Sequence, residues 1–275
     1  MSAATAGQAG RHPAAHTLMP LVTDPVRLKN CARALMRHRG SPGSDGIRWT
    51  QYRRDLDRRI ANLATRLSAG TWAPAPARHV VLPSWGKDIA LAIPTVEDRI
   101  VHRALREAAE LILCADAYPD WMYGWRPRAG RVDALHAAAS HLTAGRNWVA
   151  DLDVAAATRD ADLNSLVDGL ACWISDGTFL ALVRTVLENL PTPLAPGSGL
   201  TPMLTNIRLL PVDERLRDLP VIRVTDNYTV FCLDRAHAEL HAARVADALS
   251  AQGLRPSPTK SHVWQPNPED LYLAG

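Results

Sequence analysis

The stretch Val221-Ile-Arg-Val-Thr-Asp-Asn-Tyr-Thr-Val-Phe-Cys232 reads as two short apolar strands, Val221 to Val224 and Tyr228 to Cys232, joined at Thr225-Asp226-Asn227. Asp and Asn side chains bond to nearby backbone and tolerate turn geometry, so a tight hairpin follows. Upstream, Trp148, Ala150, Leu152 and Val154 alternate with Val149, Asp151 and Asp153. Because side chains alternate with a period of two, both carboxylates share one face of a strand. A helical segment runs from about Asp162 to Ile174. After the hairpin, Ala236 to Ala251 reads as a helix with Leu240, Ala243, Ala246 and Leu249 inward, and Gly253 stands where a C-terminal cap belongs. His262-Val-Trp264 supplies a last strand. The order β-α-β-β-α-β is the split βαβ arrangement, with an antiparallel sheet in an α+β fold. Its central strands are neighbours, so Asp153 at the end of one and Asp226 at the tip of the hairpin can meet.

Neither carboxylate has a basic residue beside it in the sequence, so the two repel unless a cation lies between them. Mg²⁺, or Mn²⁺ in its place, is a hard ion that takes oxygen ligands and suits that need. Two such ions ~4 Å apart support in-line displacement at a phosphorus atom. The plainer alternative is that one Asp ends a strand and the other begins a turn.

The first half is mostly helical. Leu28, Ala32, Leu35 and Met36 share one face, and Ile60, Leu63 and Leu67 share another, across the Gly- and Ser-rich link from Arg39 to Gly46. His79-Val-Val-Leu82 and Ile89-Ala-Leu-Ala-Ile93 flank Ser84-Trp-Gly-Lys87 and predict a hairpin. Thr95 and Asp98 are spaced like a capping box for a helix carrying Ile100, Val101, Ala104, Leu105, Ala108 and Ile112 inward.

A net charge of +3 on 275 residues announces no polyanionic partner, but the charge is sorted along the chain. Ten Arg or Lys face three Asp between Arg27 and Arg59, whereas Asp151 to Asp176 is acidic. A basic entrance beside an acidic site suits a nucleic acid plus metal ions, and a solvated helical face is the bland alternative. Cys31, Cys114, Cys172 and Cys232 lack paired spacing and read as small residues of a reducing cytoplasm. No apolar run reaches the ~18 residues of a membrane span, so a soluble, cytoplasmic protein with no membrane partner is expected. Residues 1–20 are rich in Ala, Gly and Thr and read as a disordered tail.

Longer blocks carry a family resemblance from near Gly40 to the last residue. Ser41-Pro-Gly-Ser-Asp-Gly-Ile47 resembles the N-terminal element of group II intron reverse transcriptases. Leu82-Pro-Ser-Trp-Gly-Lys87 with Ala92-Ile-Pro-Thr-Val-Glu-Asp-Arg-Ile-Val101 is similar to their first fingers block. Tyr123-Gly-Trp-Arg-Pro127 followed by Asp133-Ala-Leu135 resembles the next. Asn147 to Val154 matches the palm strand with the first metal-binding Asp, here Asp153. Ala195 to Ile207 resembles the Gly-rich turn and helix start beneath template and incoming base, placing Gly197 and Ser198 there. Arg223 to Tyr228 occupies the place of the Tyr-Ala-Asp-Asp signature, and Pro258-Thr-Lys260 that of the Lys-bearing turn. Leu271-Tyr-Leu-Ala-Gly275 resembles the strand that leads to the thumb.

The group II intron and retron type of reverse transcriptase therefore implies a right-hand polymerase fold, with fingers over residues 21–146 and palm over 147–275. It implies RNA-templated DNA synthesis with Asp153, Asp226 and Asn227 as catalytic residues, Asp153 and Asp226 holding Mg²⁺, and an RNA template and primer as partners. Arg78, Lys87, Thr158, Gly197, Ser198 and Lys260 would meet nucleotide or template. Arg53, Arg54, Arg58, Arg59 and Arg126 would meet RNA. The thumb and maturase region is expected to be absent, with a partner protein a possible source of thumb function.

The departures fall on functional positions. Asn227 replaces the signature's second Asp, Val224 its Tyr and Thr225 its Ala. Ala157 and Thr158 stand where an aromatic pair blocks a ribose 2′-hydroxyl. Ser84 and Ile89 replace a Lys and an Arg that hold the triphosphate, and Pro196 replaces a Gln. A degenerate active site is thus expected, and an inactive remnant that binds RNA is the alternative. His237 and His241 are read as an exposed helical face rather than a metal site, and Trp125 and Trp148 as core packing.

Overall fold

The computed structural model describes residues 17–38, 40–84 and 87–267, with Ser84 and Lys87 described in their backbone alone. The expected strand Leu271 to Gly275 and residues 1–16 lie outside these. Residues 17–20, which fall within the expected tail, are structured. Leu18 is buried and α1 (Met19–Thr23) follows, because the Leu18 and Met19 amides donate to Asp176 Oδ2 at 2.7 and 3.1 Å.

α2 (Pro25–Met36), the short α3 (Trp49–Tyr52) and α4 (Leu56–Ser68) come next. α2 buries Leu28, Cys31 and Ala32, and α4 buries Ile60, Leu63, Ala64 and Leu67, each set recurring every three to four residues as one helical stripe requires. A ribbon of β1 (Arg78–Ser84) and β2 (Lys87–Ile93) follows, with Arg78 opposite Ile93 and Ser84 opposite Lys87. α5 (Val96–Ile112) starts at the Thr95 box: Thr95 Oγ1 accepts from the Asp98 amide at 3.1 Å, and Asp98 Oδ2 accepts from the Thr95 amide at 3.3 Å. α6 (Arg131–Thr143) leads into β3 (Trp148–Asp153).

Between β3 and the hairpin stand α7 (Leu163–Ala171), α8 (Gly177–Glu188) and α9 (Thr201–Arg215), not one helix. Pro191, Pro193 and Pro196 break the sequence before α9, and Pro211 sits inside it, so local pattern underestimates its length. α7, α8 and the first half of α9 join α1, α2, α4 and α5 in one apolar core that includes Leu28, Leu63, Ile100, Phe179, Val183 and Met203. Each such fully buried side chain contributes about 1.5–3 kcal/mol.

β4 (Val221–Val224), β5 (Asn227–Cys232), α10 (Arg235–Ser250) and β6 (His262–Trp264) complete the described chain. The four strands lie in the order β4-β5-β3-β6, every pair antiparallel. One face, with Ala150, Leu152, Tyr228 and Val230, packs on Leu209 and Val212 of α9 and Val245 and Leu249 of α10. The opposite face carries Val149, Ile222 and Phe231 against Ala134 and Ala138 of α6. Asp151 and Asp153 lie on that second face, two and four residues beyond Val149. The buried stripe of α10 is Ala238, Val245, Ala248 and Leu249, while Leu240, expected inward, is 59% exposed. Ala243, also expected inward, is exposed.

Candidate active site

Asp153 closes β3 directly opposite Asn227, the first residue of β5. The next amide, Val154 N–H, donates to the Asp226 carbonyl at 3.0 Å. The two segments that bear the candidate carboxylates are thus joined by main chain. The connection between β4 and β5 is the two-residue turn Thr225-Asp226, in which Thr225 takes φ +59°. A positive φ at the first turn residue alone is the II′ pattern, which normally prefers glycine there. Thr225 Oγ1 lies 2.9 Å from Asp226 Oδ1 and 2.7 Å from the Val224 carbonyl, so its one proton serves one of them at a time.

What holds a strained threonine turn in place is a buried polar network beneath it. Arg223, 0% exposed in the middle of β4, donates from Nε and Nη2 to both oxygens of Asp213 at 2.9 and 2.6 Å. Its Nη1 donates to Asn206 Oδ1 and to the Thr225 carbonyl, both at 2.8 Å. The Tyr228 hydroxyl donates to Asp213 Oδ1 at 2.8 Å. Burial opposes the charge on Arg223, but the Asp213 carboxylate more than offsets it and the guanidinium is held protonated more firmly than in water. Burial, with Asp213 next to it, keeps the Tyr228 phenol neutral and able to donate. On the outer side, Tyr123 N–H donates to the Arg223 carbonyl at 2.9 Å, and Arg223 N–H donates to the Trp121 carbonyl at 3.0 Å. A Cβ on Gly124 would overlap the backbone nitrogen of Thr225, so only glycine lets this segment lie against the turn.

Sequence reasoning missed this network. Its signal was present: an arginine inside Val221-Ile-Arg-Val224 must find a buried partner, and Asp213 and Asn206 are polar residues on the apolar side of α9. Arg208 of α9 was missed too. Its Nη1 donates to the carbonyls of Ala157 and Arg159 at 2.8 and 2.6 Å, bracing the loop after β3.

Lys260 overturns the expectation that no basic group adjoins the carboxylates. Ser257 N–H donates to the Asp153 carbonyl at 2.7 Å, and Asp153 N–H donates to Ser261 Oγ at 3.2 Å. The turn so fixed at the end of β3 sets Lys260 Nζ 3.1 Å from Asp153 Oδ2, with side-chain exposures of 60% and 15%. Sequence distance concealed the pair, since 107 residues separate its members. Asp151 accepts from Thr229 Oγ1 at 3.0 Å. Burial first, then the like charge of Asp153, raises its carboxyl above the ordinary range, against the pull of the Thr229 hydroxyl and His262.

The remaining candidates are scattered. Ala157 is buried, and Thr158 is half-buried beside it. Gly197 takes φ +102° with its Cα against the Ala92 carbonyl of β2, and Ala92 N–H donates to the Pro196 carbonyl at 2.8 Å. Ser198 is 5% exposed, and its hydroxyl engages the Leu200 amide at 3.3 Å and His102 Nδ1 at 3.4 Å. Both residues therefore shape a loop that docks the ribbon onto α9, and Ser198 offers no open surface. Burial depresses the His102 imidazole to about 4, so it is neutral. Arg78 Nε donates to the Pro42 carbonyl at 3.0 Å and braces the Gly-Ser link. The side chain of Lys87 lies outside the described residues.

Arg53, Arg54 and Arg58 are exposed around the start of α4, with Arg58 on Asp55 at 3.2 Å, and Arg59 lies over the Tyr52 ring at 4.9 Å. Arg126 belongs to a different place, against Asp120 and the Pro119 carbonyl. His237 is paired with Asp234 at 2.8 Å on an exposed face. Trp148 packs against the α9–α10 side of the sheet, but Trp125, expected in the core, is 39% exposed.

Asp153, Asp226 and Asn227 stand on two adjoining strand ends and can each offer a side-chain oxygen, the donor type that suits a hard divalent ion. Among the described residues no group of three or more His, Cys, Asp or Glu side chains converges. Among the described residues no helix is long and apolar enough to cross a membrane.

No family model matches the chain. It is 30% identical over 223 residues to Protein YkfC of Escherichia coli (strain K12), a similarity that spans 73% of this chain and 57% of that protein. The chain thus spans little more than half the length of the curated relative it matches.

Proposed function

We propose that the chain is a reverse-transcriptase-like nucleotidyl transferase with a fingers-and-palm architecture, acting on a primed RNA template. The observation that carries this reading is the junction of Asp153 with the Thr225-Asp226 turn, fixed by the Val154 amide on the Asp226 carbonyl and opposed in register by Asn227. Ordered sequence blocks resembling those of group II intron reverse transcriptases support it.

Mg²⁺ or Mn²⁺ held by Asp153 and Asp226 would supply the Lewis acidity that lowers the pKa of a primer hydroxyl and offsets charge on a departing pyrophosphate. The chain's own residues do the rest. Asp153 and Asp226 present anionic oxygens from strand ends whose spacing is set by β-pairing. Asn227 adds a neutral oxygen. Lys260 offers a mobile positive charge beside Asp153, within reach of an incoming phosphate. Arg223, Asp213 and Asn206 hold the turn still, so little reorganisation is needed at the moment of reaction. Thr158 is small where a bulkier side chain would exclude a ribose hydroxyl, so ribonucleotides should be accepted beside deoxyribonucleotides.

The test is primer extension on an RNA template with deoxy- and ribonucleotides, in Mg²⁺ and in Mn²⁺. Incorporation that disappears in Asp153→Ala and Asp226→Ala is the expected result. No incorporation with either metal would remove the reading.

One observation favours a second reading, an RNA-binding remnant without polymerase activity: Lys260 already neutralises Asp153, and the third carboxylate is lost. Salt-dependent RNA binding through Arg53, Arg54 and Arg58, unchanged by Asp153→Ala, would support it.

A further inference from the structure

A groove of about 800 Å³ opens between α2, α5 and the loop that precedes α6. Five arginines line it, Arg27, Arg103, Arg106, Arg126 and Arg128, against the two glutamates Glu107 and Glu110. Arg103 pairs with Glu107 at 2.7 Å and Arg106 lies 3.6 Å from Glu110, while Arg126 faces the exposed Asp120 at 3.5 Å. Neither Arg27 nor Arg128 has a side-chain hydrogen bond or ion pair with any described residue. The groove therefore carries surplus positive charge, and the buried Nε of Arg106 has no hydrogen-bond partner among the described residues. Like charges gathered in a concave site are held at a cost that an anion relieves.

The wall nearest Arg128 is unusual in its backbone. Trp125 and Arg128 take φ +54° and +62°, conformations that cost a bulky residue on the order of 1 kcal/mol each. Gly124, pinned to the Thr225 turn, and the bridge between Arg126 and Ala129 hold the loop in this shape. The result is a tryptophan 39% exposed at the edge of an arginine-lined groove rather than in the core. An aromatic face beside guanidinium groups matches a base attached to a phosphate, since every base offers a π-face and the phosphate takes the charge.

We propose that this groove binds a nucleotide unit, with its base stacked on Trp125 and its phosphate held by Arg27 and Arg128. The site is separate from Asp153 and Asp226 and does not depend on polymerase activity. The unit can come from a single strand or from a free nucleotide, and the two sources are separable.

Binding of a fluorescent octa-uridylate and of ATP is measured on the full chain, with and without EDTA, with Trp125→Gly and Arg27→Ala/Arg128→Ala as variants. Glycine relieves the positive φ at 125, so Trp125→Gly should fold as well as the parent, which thermal melting checks. Affinity for the bound probe is expected to fall about tenfold or more in Trp125→Gly. In the double arginine variant, which loses the grip on one phosphate, the slope of log affinity against log salt should drop by roughly 0.7 for the strand. Both effects should persist in EDTA, which removes any divalent ion from Asp153 and Asp226. Binding of the oligonucleotide alone assigns the site to a strand, and equal competition by ATP assigns it to free nucleotide. Binding by neither probe, or binding indifferent to Trp125→Gly and to the arginine pair, overturns the proposal. So does binding abolished by Arg53→Ala/Arg54→Ala/Arg58→Ala while these variants have no effect.

Discussion

Lys260 Nζ stands 3.1 Å from Asp153 Oδ2, so the carboxylate at the end of β3 already holds a cation supplied by the chain itself. A divalent ion binding at Asp153 must share or displace it. Replacing the ammonium by an isosteric apolar chain, Lys260→Met, removes that competition. Because the lysine is largely exposed the gain is small, about 1 kcal/mol, or roughly fivefold tighter Mn²⁺ binding. Electron paramagnetic resonance titration of free Mn²⁺ reads it directly. Incorporation should nonetheless slow in the same variant if Lys260 serves an incoming phosphate, so metal affinity and activity move in opposite directions.

Asn227 faces Asp153 across the β3–β5 pair. Asn227→Asp places a third negative charge at this junction. Without metal the variant should melt at a lower temperature than the parent, because like charges crowd. With Mg²⁺ the loss should be reversed, and the Mg²⁺-induced rise in melting temperature should exceed that of the parent. An equal rise in both proteins would show that position 227 contributes nothing to metal binding.

Arg223 and Asp213 form a fully buried ion pair under the turn. Removing one member strands the other, so Arg223→Met and Asp213→Leu should each lose about 3–5 kcal/mol. The double variant should recover part of that loss, leaving Tyr228 and Asn206 short of a partner. Urea unfolding of the three variants gives the coupling. Additive losses would mean that the two side chains do not depend on each other.

Glu110, buried on α5, has its carboxyl raised from the ordinary 4.5 to about 7 by burial, with Arg106 and Arg103 opposing and Glu107 adding to the rise. Between those two values the folded chain holds a proton that the unfolded chain has released. Stability therefore falls as pH rises from about 4.5 to about 7, and the penalty persists above it. Glu110→Gln should leave the melting temperature unchanged at pH 4.5 and raise it at pH 8. The gain there is at most on the order of 3 kcal/mol. Arg103, Arg106, Glu107, Cys114 and Tyr118 surround the group.

The strands, the hairpin tip and the α5 cap were legible because each rests on local chemistry: alternation in Trp148 to Val154, turn residues at 225 to 227, and a Thr95–Asp98 pair three residues apart. That the segments bearing Asp153 and Asp226 adjoin was legible because topology alone sets it. Lys260 on Asp153 was not, since nothing local ties a turn after α10 to the end of β3. Arg223 shows a different limit. A charged residue in an apolar strand announces that a partner exists, but α9 could supply Asp213 only once its length past Pro211 was known. The orientation of α10 was misjudged at Leu240 and Ala243 because apolar residues occur all round the helix, so its pattern does not single out the stripe that packs on the sheet. Trp125 escaped for the same kind of reason: its exposure follows from a backbone conformation that no side-chain pattern encodes.

The segment from Trp121 to Tyr123 exchanges hydrogen bonds with Arg223 along the outside of β4. That edge of the four-stranded sheet has no donors or acceptors left to offer at Arg223, so another chain cannot add a strand there. β6, at the far side, is three residues long and gives little purchase. The β1–β2 ribbon is different, with seven-residue strands and Val81, Leu82 and Ile89 exposed. If copies of this protein associate through β-pairing when concentrated, the ribbon is where they will do it, and a lysine at Val81 should suppress it without touching the carboxylates.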